Sequence, residues 1–128
     1  MPVVLLVEDE PHIVKLVTYV LRQSGLEVRT AETGQAALDL VRQEQIDLIL
    51  MDLMLPGMDG YYVCHRLKAD PHTKHIPIVI LSARFEADQA LPGTQGEVAA
   101  YISKPFEPME LCRRIWQVLQ EVGQKRDQ

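Results

Sequence analysis

Three short, unbroken apolar runs constrain this chain more than any other feature. Val3–Val7 reads VVLLV, Asp47–Met51 reads DLILM and Ile76–Leu81 reads IPIVIL. Each is long enough for a strand buried on both faces and too short for a helix. Each also stops abruptly at polar residues: Glu8-Asp9-Glu10 after the first, Asp52 after the second and Ser82 after the third. Strands of this kind belong to parallel sheets whose faces are covered by helices, so helical patterns are expected between them.

Those patterns are present. Pro11 suits the first turn of a helix, where its missing N–H costs nothing. Ile13, Leu16, Val17, Val20 and Leu21 follow at helical spacing, and Gly25 supplies a stop. Leu26–Ala31 reads as a second strand, less apolar and therefore nearer an edge. Thr33 can cap a helix with the stripe Ala36, Ala37, Leu40 and Val41. Leu53–Gly60 (LMLPGMDG) carries the Pro-Gly and Asp-Gly signals of a loop, Tyr61–Ala69 reads as a helix and Asp70–His75 as a polar connection. Pro77 is tolerable near the start of the next strand. Ala100–Ser103 is a weaker fifth strand, followed by Lys104 and Pro105. Glu107–Val122 closes the chain as a helix with Leu111, Ile115, Val118, Leu119 and Val122 on one face.

Five alternating strand–helix units predict an α/β fold: a doubly wound, five-stranded parallel sheet with helices on both faces. The expected organisation is one domain over residues 1–122 and a polar tail over 123–128. One unit departs from the pattern. The segment between Phe85 and Tyr101 contains Pro92, Gly93 and Gly96. Inside a helix a proline costs about 3 kcal/mol and each glycine about 1 kcal/mol relative to alanine. The fourth of the five expected helices is therefore predicted to be short, irregular or mobile.

Composition narrows the function classes. With 128 residues, 47% hydrophobic and 24% charged, the chain can bury one core without disulfide or metal staples. A net charge of −5, with 13 scattered basic residues, argues against a nucleic-acid-binding surface. Cys64 and Cys112 lack CxxC or Cys/His ligand spacing and read as reduced thiols. His72 and His75 read as exposed loop residues, because no third ligand is nearby. No signal peptide and no run of ~18 apolar residues is evident, so a cytoplasmic location without membrane association is expected.

In open parallel sheets, ligands bind beyond the carboxyl ends of the strands, where strand order reverses. Asp9 follows the first strand, Asp52 ends the third, Ser82 the fourth and Lys104 the fifth, so four strands deliver polar groups to one rim. A lone carboxylate after a strand is usually a helix cap, and four suitable groups at four strand ends are not explained that way. Glu8, Asp9 and Asp52 would crowd negative charge that needs a counter-charge. A hard divalent cation held by carboxylates, a carbonyl and water is the natural remedy, and Mg2+ fits that set. A carboxylate can act as nucleophile to form an acyl phosphate, with Lys104 and Ser82 aimed at phosphoryl oxygens.

The motifs VVLLVEDEP (Val3–Pro11), DLILMDLMLPGMDG (Asp47–Gly60), IPIVILSA (Ile76–Ala83) and YISKPF (Tyr101–Phe106) together resemble the receiver domains of the CheY-like response-regulator family. The resemblance spans residues 3–122 in order and spacing. It implies a flavodoxin-like, CheY-like sheet of strand order 2-1-3-4-5 and a role in a two-component phosphorelay. It implies Asp52 as phospho-acceptor, with Asp9, Asp52 and the backbone carbonyl of Met54 on Mg2+ and Glu8 acting through water. Ser82 and Lys104 would bind the phosphoryl group, Ser82 and Tyr101 would form the switch, and the Lys104–Pro105 bond would be cis. The phosphoryl donor would be a phosphohistidine on a sensor histidine kinase or a phosphotransfer protein. The downstream partner would be a protein, with the receiver a monomer or weak homodimer and not itself an enzyme on other substrates. The Pro92 and Gly93 segment departs from the family's regular fourth helix and puts its usual output surface in doubt.

Three other readings compete with this one. An aspartyl-phosphate phosphatase carries a second Asp two positions beyond its nucleophile; Met54 stands there and cannot transfer protons. A receiver-like module that works unphosphorylated usually lacks the aspartate or the lysine, and both are retained. A flavin site fails because Glu8-Asp9-Glu10 would repel its phosphate. The polar tail, with Lys125 and Arg126, is equally compatible with the start of a linker.

Overall fold

The structure, a computed structural model, describes residues 1–55, 57, 59–83 and 98–126. The expected fourth-helix segment and Arg84 lie outside the described residues. The elements are β1 (Val3–Val7), α1 (Pro11–Gln23), β2 (Glu27–Ala31), α2 (Gly34–Gln43), β3 (Leu48–Asp52), α3 (Gly60–Ala69), β4 (Ile78–Ser82), β5 (Ala100–Ser103) and α4 (Pro108–Arg126). The five strands form one parallel sheet in the order β2-β1-β3-β4-β5, as expected.

Two apolar layers sandwich the sheet, because successive strand residues point to opposite faces. On one face Leu5, Val7, Ile49, Met51, Ile78 and Ile80 pack against Ala37 and Leu38 of α2 and Val63, Cys64 and Leu67 of α3. On the other, Val4, Leu6, Leu48, Leu50, Val79 and Leu81 pack against Val17 and Leu21 of α1 and Leu111, Ile115 and Val118 of α4. The central strands β3 and β4 are buried along their whole length, which is why they read as unbroken apolar runs. β2, at one edge, is buried only at Val28 and Ala31.

Helix ends follow local chemistry. Pro11 opens α1, and the Glu10 carboxylate caps it by accepting from the N–H groups of His12 (3.0 Å) and Ile13 (3.2 Å). Gly25, at φ +95°, takes the left-handed conformation that releases the chain from α1 into β2. The Thr33 hydroxyl accepts from Ala36 N–H at 3.0 Å, as a cap should.

Several sequence expectations shift. Leu16 is 41% exposed, and Ala36 is exposed while Leu38 is buried, so the buried stripes of α1 and α2 are rotated from those expected. Periodicity fixes a stripe's spacing, but the neighbouring strands decide where it is centred. Gly60 begins α3 instead of ending a loop, because the Asp59 carboxylate accepts from Tyr61 N–H at 2.9 Å and caps the helix there. α4 continues to Arg126, past the expected end at Val122, since Gly123 is not in the left-handed conformation that terminates helices. His72 and His75 are exposed on the turn before β4, as expected.

Candidate functional site

The sheet reverses its order at β1 and β3: the chain leaves β1 for β2 on one side and returns to β3 on the other. The carboxyl ends of these two strands therefore face a crevice that no crossover covers. Glu8 and Asp9 follow β1, and Asp52 is the last residue of β3. One carboxylate oxygen from each of Glu8, Asp9 and Asp52 lies within 4.8 Å of the others. Among the described residues this is the one acidic group of three with metal-ligand spacing.

Burial separates the three. Glu8 is 1% exposed and Asp52 6%, whereas Asp9 faces solvent. Glu8 survives burial because both its oxygens are engaged. Oε2 accepts from the N–H groups of Asp9 (3.0 Å) and Glu10 (3.2 Å), and Oε1 accepts from Lys104 Nζ at 2.7 Å. Asp52 Oδ1 accepts from Met54 N–H at 3.0 Å, and its Oδ2 accepts from Lys104 Nζ at 3.0 Å. One ammonium thus bridges two carboxylates on two strands.

The titration directions follow from this arrangement. Burial pushes the Glu8 carboxyl up and the nearby Asp52 charge adds to it; the Lys104 ammonium and Glu10 N–H oppose the rise without cancelling it. Burial acts to lower the Lys104 ammonium, but its hydrogen bonds to Glu8 and Asp52 outweigh that and hold it above the usual lysine range. The lysine is charged at neutral pH, and it supplies the positive charge that the buried carboxylates require.

Lys104 reaches the crevice from the end of β5. Its N–H donates to the Ser82 carbonyl at 2.8 Å, which ties the segment after β5 to the end of β4. The Lys104–Pro105 bond is cis, as the family resemblance implied. Ser82 is 5% exposed at the carboxyl end of β4, opposite Ser103 in the β4–β5 register. Tyr101 lies on β5 beside Ile80, half-buried and packed against the core layer that α2 and α3 cover. Met54 is exposed just beyond Asp52.

Sequence reading missed two residues that shape this rim. Gly60 is buried against Leu53, the residue after Asp52. The signal was present in the Asp-Gly pair, which marks a helix cap here as readily as a loop. Glu10 was read only as part of an acidic cluster, although a carboxylate just before Pro11 is also a cap signal.

An open parallel sheet with a buried, lysine-bridged carboxylate pair at its switch point defines a doubly wound α/β domain with an acidic rim. The chain belongs to the response regulator receiver domain family, which it matches over residues 4–116. It is a signalling switch of the two-component type, and its fold is that of the CheY-like receivers. It is 39% identical to the DNA-binding response regulator MtrA of Mycolicibacterium smegmatis over 88% of this chain and 48% of MtrA. Over 94% of this chain and 52% of the relative, it is 39% identical to the phosphate regulon transcriptional regulatory protein PhoB of Pseudomonas aeruginosa. The chain thus spans about half the length of these relatives. Among solved structures it resembles the response regulator TrrA of Thermotoga maritima in complex with Mg2+–BeF, with a TM-score of 0.83 and 29% identity, covering 92% of this chain and 99% of that one. No described helix is long and apolar enough to cross a membrane.

Proposed function

We propose that Asp52 accepts a phosphoryl group from a phosphohistidine and that Glu8, Asp9, Ser82 and Lys104 assist the transfer. The observation that carries this reading is the convergence of three carboxylates within 4.8 Å at the switch point, bridged by an ammonium from the last strand. Asp52 Oδ1 and Oδ2 are oriented by Met54 N–H and Lys104 before any donor arrives. Asp52 attacks phosphorus, the P–N bond to the donor's imidazole breaks, and the imidazole departs as an acyl phosphate forms.

The donor set is all oxygen and mostly anionic, which suits a hard divalent cation. Asp9, Asp52 and the Met54 carbonyl would hold Mg2+, with Glu8 acting through water. Mg2+ neutralises charge on the transferring phosphoryl oxygens. Lys104 sits where it can pass from the carboxylates to a phosphoryl oxygen. Ser82, at the neighbouring strand end, would donate to another, and Tyr101, two residues before Ser103 on the paired strand, would respond to Ser82.

The donor would be a sensor histidine kinase or a phosphotransfer protein and the receiver's target a protein, with the domain a monomer or weak homodimer in the cytoplasm. DNA binding is named for MtrA, and this chain aligns with only about half of that protein. Intact-mass spectrometry after incubation with acetyl phosphate tests the chemistry. One phosphoryl group is expected with Mg2+, none with chelator and none in Asp52→Asn. No addition under any condition would leave an unphosphorylated interaction module as the better account.

A further inference from the structure

Gly60 lies outside the carboxylate cluster, yet it touches the one peptide group that positions Asp52. A Cβ built on Gly60 would stand 2.9 Å from Leu53 Cα and 3.2 Å from both the Leu53 carbonyl oxygen and Leu53 Cδ2. The Leu53 carbonyl belongs to the same planar peptide unit as the Met54 N–H. That N–H is the group that donates to Asp52 Oδ1 at 3.0 Å. Gly60 is not at positive φ, so what excludes a side chain here is this contact and not backbone conformation.

We infer that Gly60 is a positioning residue: its bare α-carbon seats the Leu53–Met54 peptide group, and this seat fixes the Met54 N–H that orients the Asp52 carboxylate. Neither side of the contact can yield freely. The Leu53 side chain is 5% exposed and packs into the core layer beneath α2 and α3. α3 is anchored by the Asp59 cap and by buried Val63, Cys64 and Leu67. A methyl group at Gly60 must open the 2.9 Å contact to at least 3.4 Å, a displacement of about 0.5 Å. The displacement bears directly on the Leu53 backbone, which carries the peptide group in question. Catalytic and metal sites lose function when ligands drift by about this much, and Mg2+ demands near-ideal ligand positions.

This inference rests on the Mg2+-dependent reading of the site, and the test separates the two. Mg2+ affinity is measured by calorimetry, and fold stability by urea denaturation in chelator, for the wild type, Gly60→Ala, Leu53→Ala and Gly123→Ala. Gly123 has nothing within 4 Å of an added Cβ, so its variant controls for glycine replacement as such. The wild type and Gly123→Ala should bind Mg2+ alike. Gly60→Ala should fold and bind Mg2+ on the order of tenfold more weakly, the scale seen when a group supporting a metal ligand is lost. Leu53→Ala should lose stability but keep its Mg2+ affinity within about twofold, because the backbone seat remains. Wild-type-like affinity in folded Gly60→Ala would overturn the inference. If Gly60→Ala does not fold, Leu53→Ala decides: retained affinity supports the backbone seat, and a tenfold loss assigns the role to the leucine side chain and overturns it. No Mg2+ binding by the wild type would remove the proposed function itself, and the inference with it.

Discussion

Replacing Lys104 with methionine removes the ammonium that, among the described residues, pairs with two buried carboxylates, while keeping most of the side chain's apolar stem. The Nζ lies 2.7 Å from Glu8 and 3.0 Å from Asp52, and the three side chains are 20%, 1% and 8% exposed. At an effective dielectric of about 20, each attraction is worth about 6 kcal/mol gross. Desolvation of the ammonium and the carboxylates consumes much of that, and breaking one partner out of a buried pair costs about 3–5 kcal/mol in practice. The partial exposure of Lys104 places the expected loss at the lower end, about 3 kcal/mol in chelator at neutral pH, or roughly 10 °C in Tm for a domain of this size. The loss should also depend on pH. Glu8 already has a raised pKa in the folded state, and removing Lys104 raises it further. A raised folded pKa stabilises below the unfolded value, and that contribution disappears as pH rises through the folded value. The variant should therefore lose least in acid and most above the raised Glu8 pKa. Saturating Mg2+ should recover more stability in the variant than in the wild type, because the uncompensated carboxylates bind a cation more strongly. Urea denaturation across pH, with and without Mg2+, measures all three effects. Equal wild-type and variant stabilities in chelator, or equal gains from Mg2+, would refute the view that Lys104 serves as the internal counter-cation.

Two further outcomes test structure remote from the rim. Thr73 is 3% exposed and its hydroxyl donates to the Leu67 carbonyl at 2.6 Å, so Thr73→Val should cost about 1–2 kcal/mol in urea denaturation and leave Mg2+ affinity unchanged. Burial pushes the Cys112 thiol up, so its alkylation by iodoacetamide should be slow at neutral pH and rise only above the titration range of an ordinary cysteine; rapid neutral-pH labelling of the native protein would contradict that environment.

The sheet was legible because each central strand is buried on both faces, and such strands cannot be written without an apolar run. The rim residues were legible for a related reason: the chain turns polar where a strand leaves the core. Pairings across long separations were not. Lys104 meets Glu8 and Asp52 from 96 and 52 residues away, and only the assembled sheet brings these side chains into contact. Other details fell below the resolution of pattern reading. The stripe of α1 includes Val17 and Leu21 but leaves Leu16 at 41% exposure, since helical spacing cannot say which residue points at the sheet. Gly123 reads as a stop by residue type, yet α4 runs through it because neither its φ nor its surroundings demand an end there. The seat between Gly60 and Leu53 depends on the angle at which α3 leaves the loop, which no local motif encodes.

The charge balance of the rim is what makes both a lysine and a divalent cation part of the proposed function. Glu8, Asp9 and Asp52 carry three negative charges when ionised, and Lys104 returns one, leaving a net −2 in a crevice that is half buried. That deficit is eased because Asp9 faces water and both Glu8 oxygens accept hydrogen bonds. An incoming phosphoryl group brings roughly two more negative charges at neutral pH. On the proposed reading a divalent cation held by Asp9 and Asp52 would offset the resident deficit, and Lys104 would be able to turn from the carboxylates to the phosphoryl oxygens. In that view Lys104 exchanges partners, which couples the end of β5 to chemistry at the end of β3. Because the Lys104 N–H is bound to the Ser82 carbonyl, and Ser82 and Tyr101 lie on the two paired strands beside it, the proposed change of lysine partner would be felt first at those two residues.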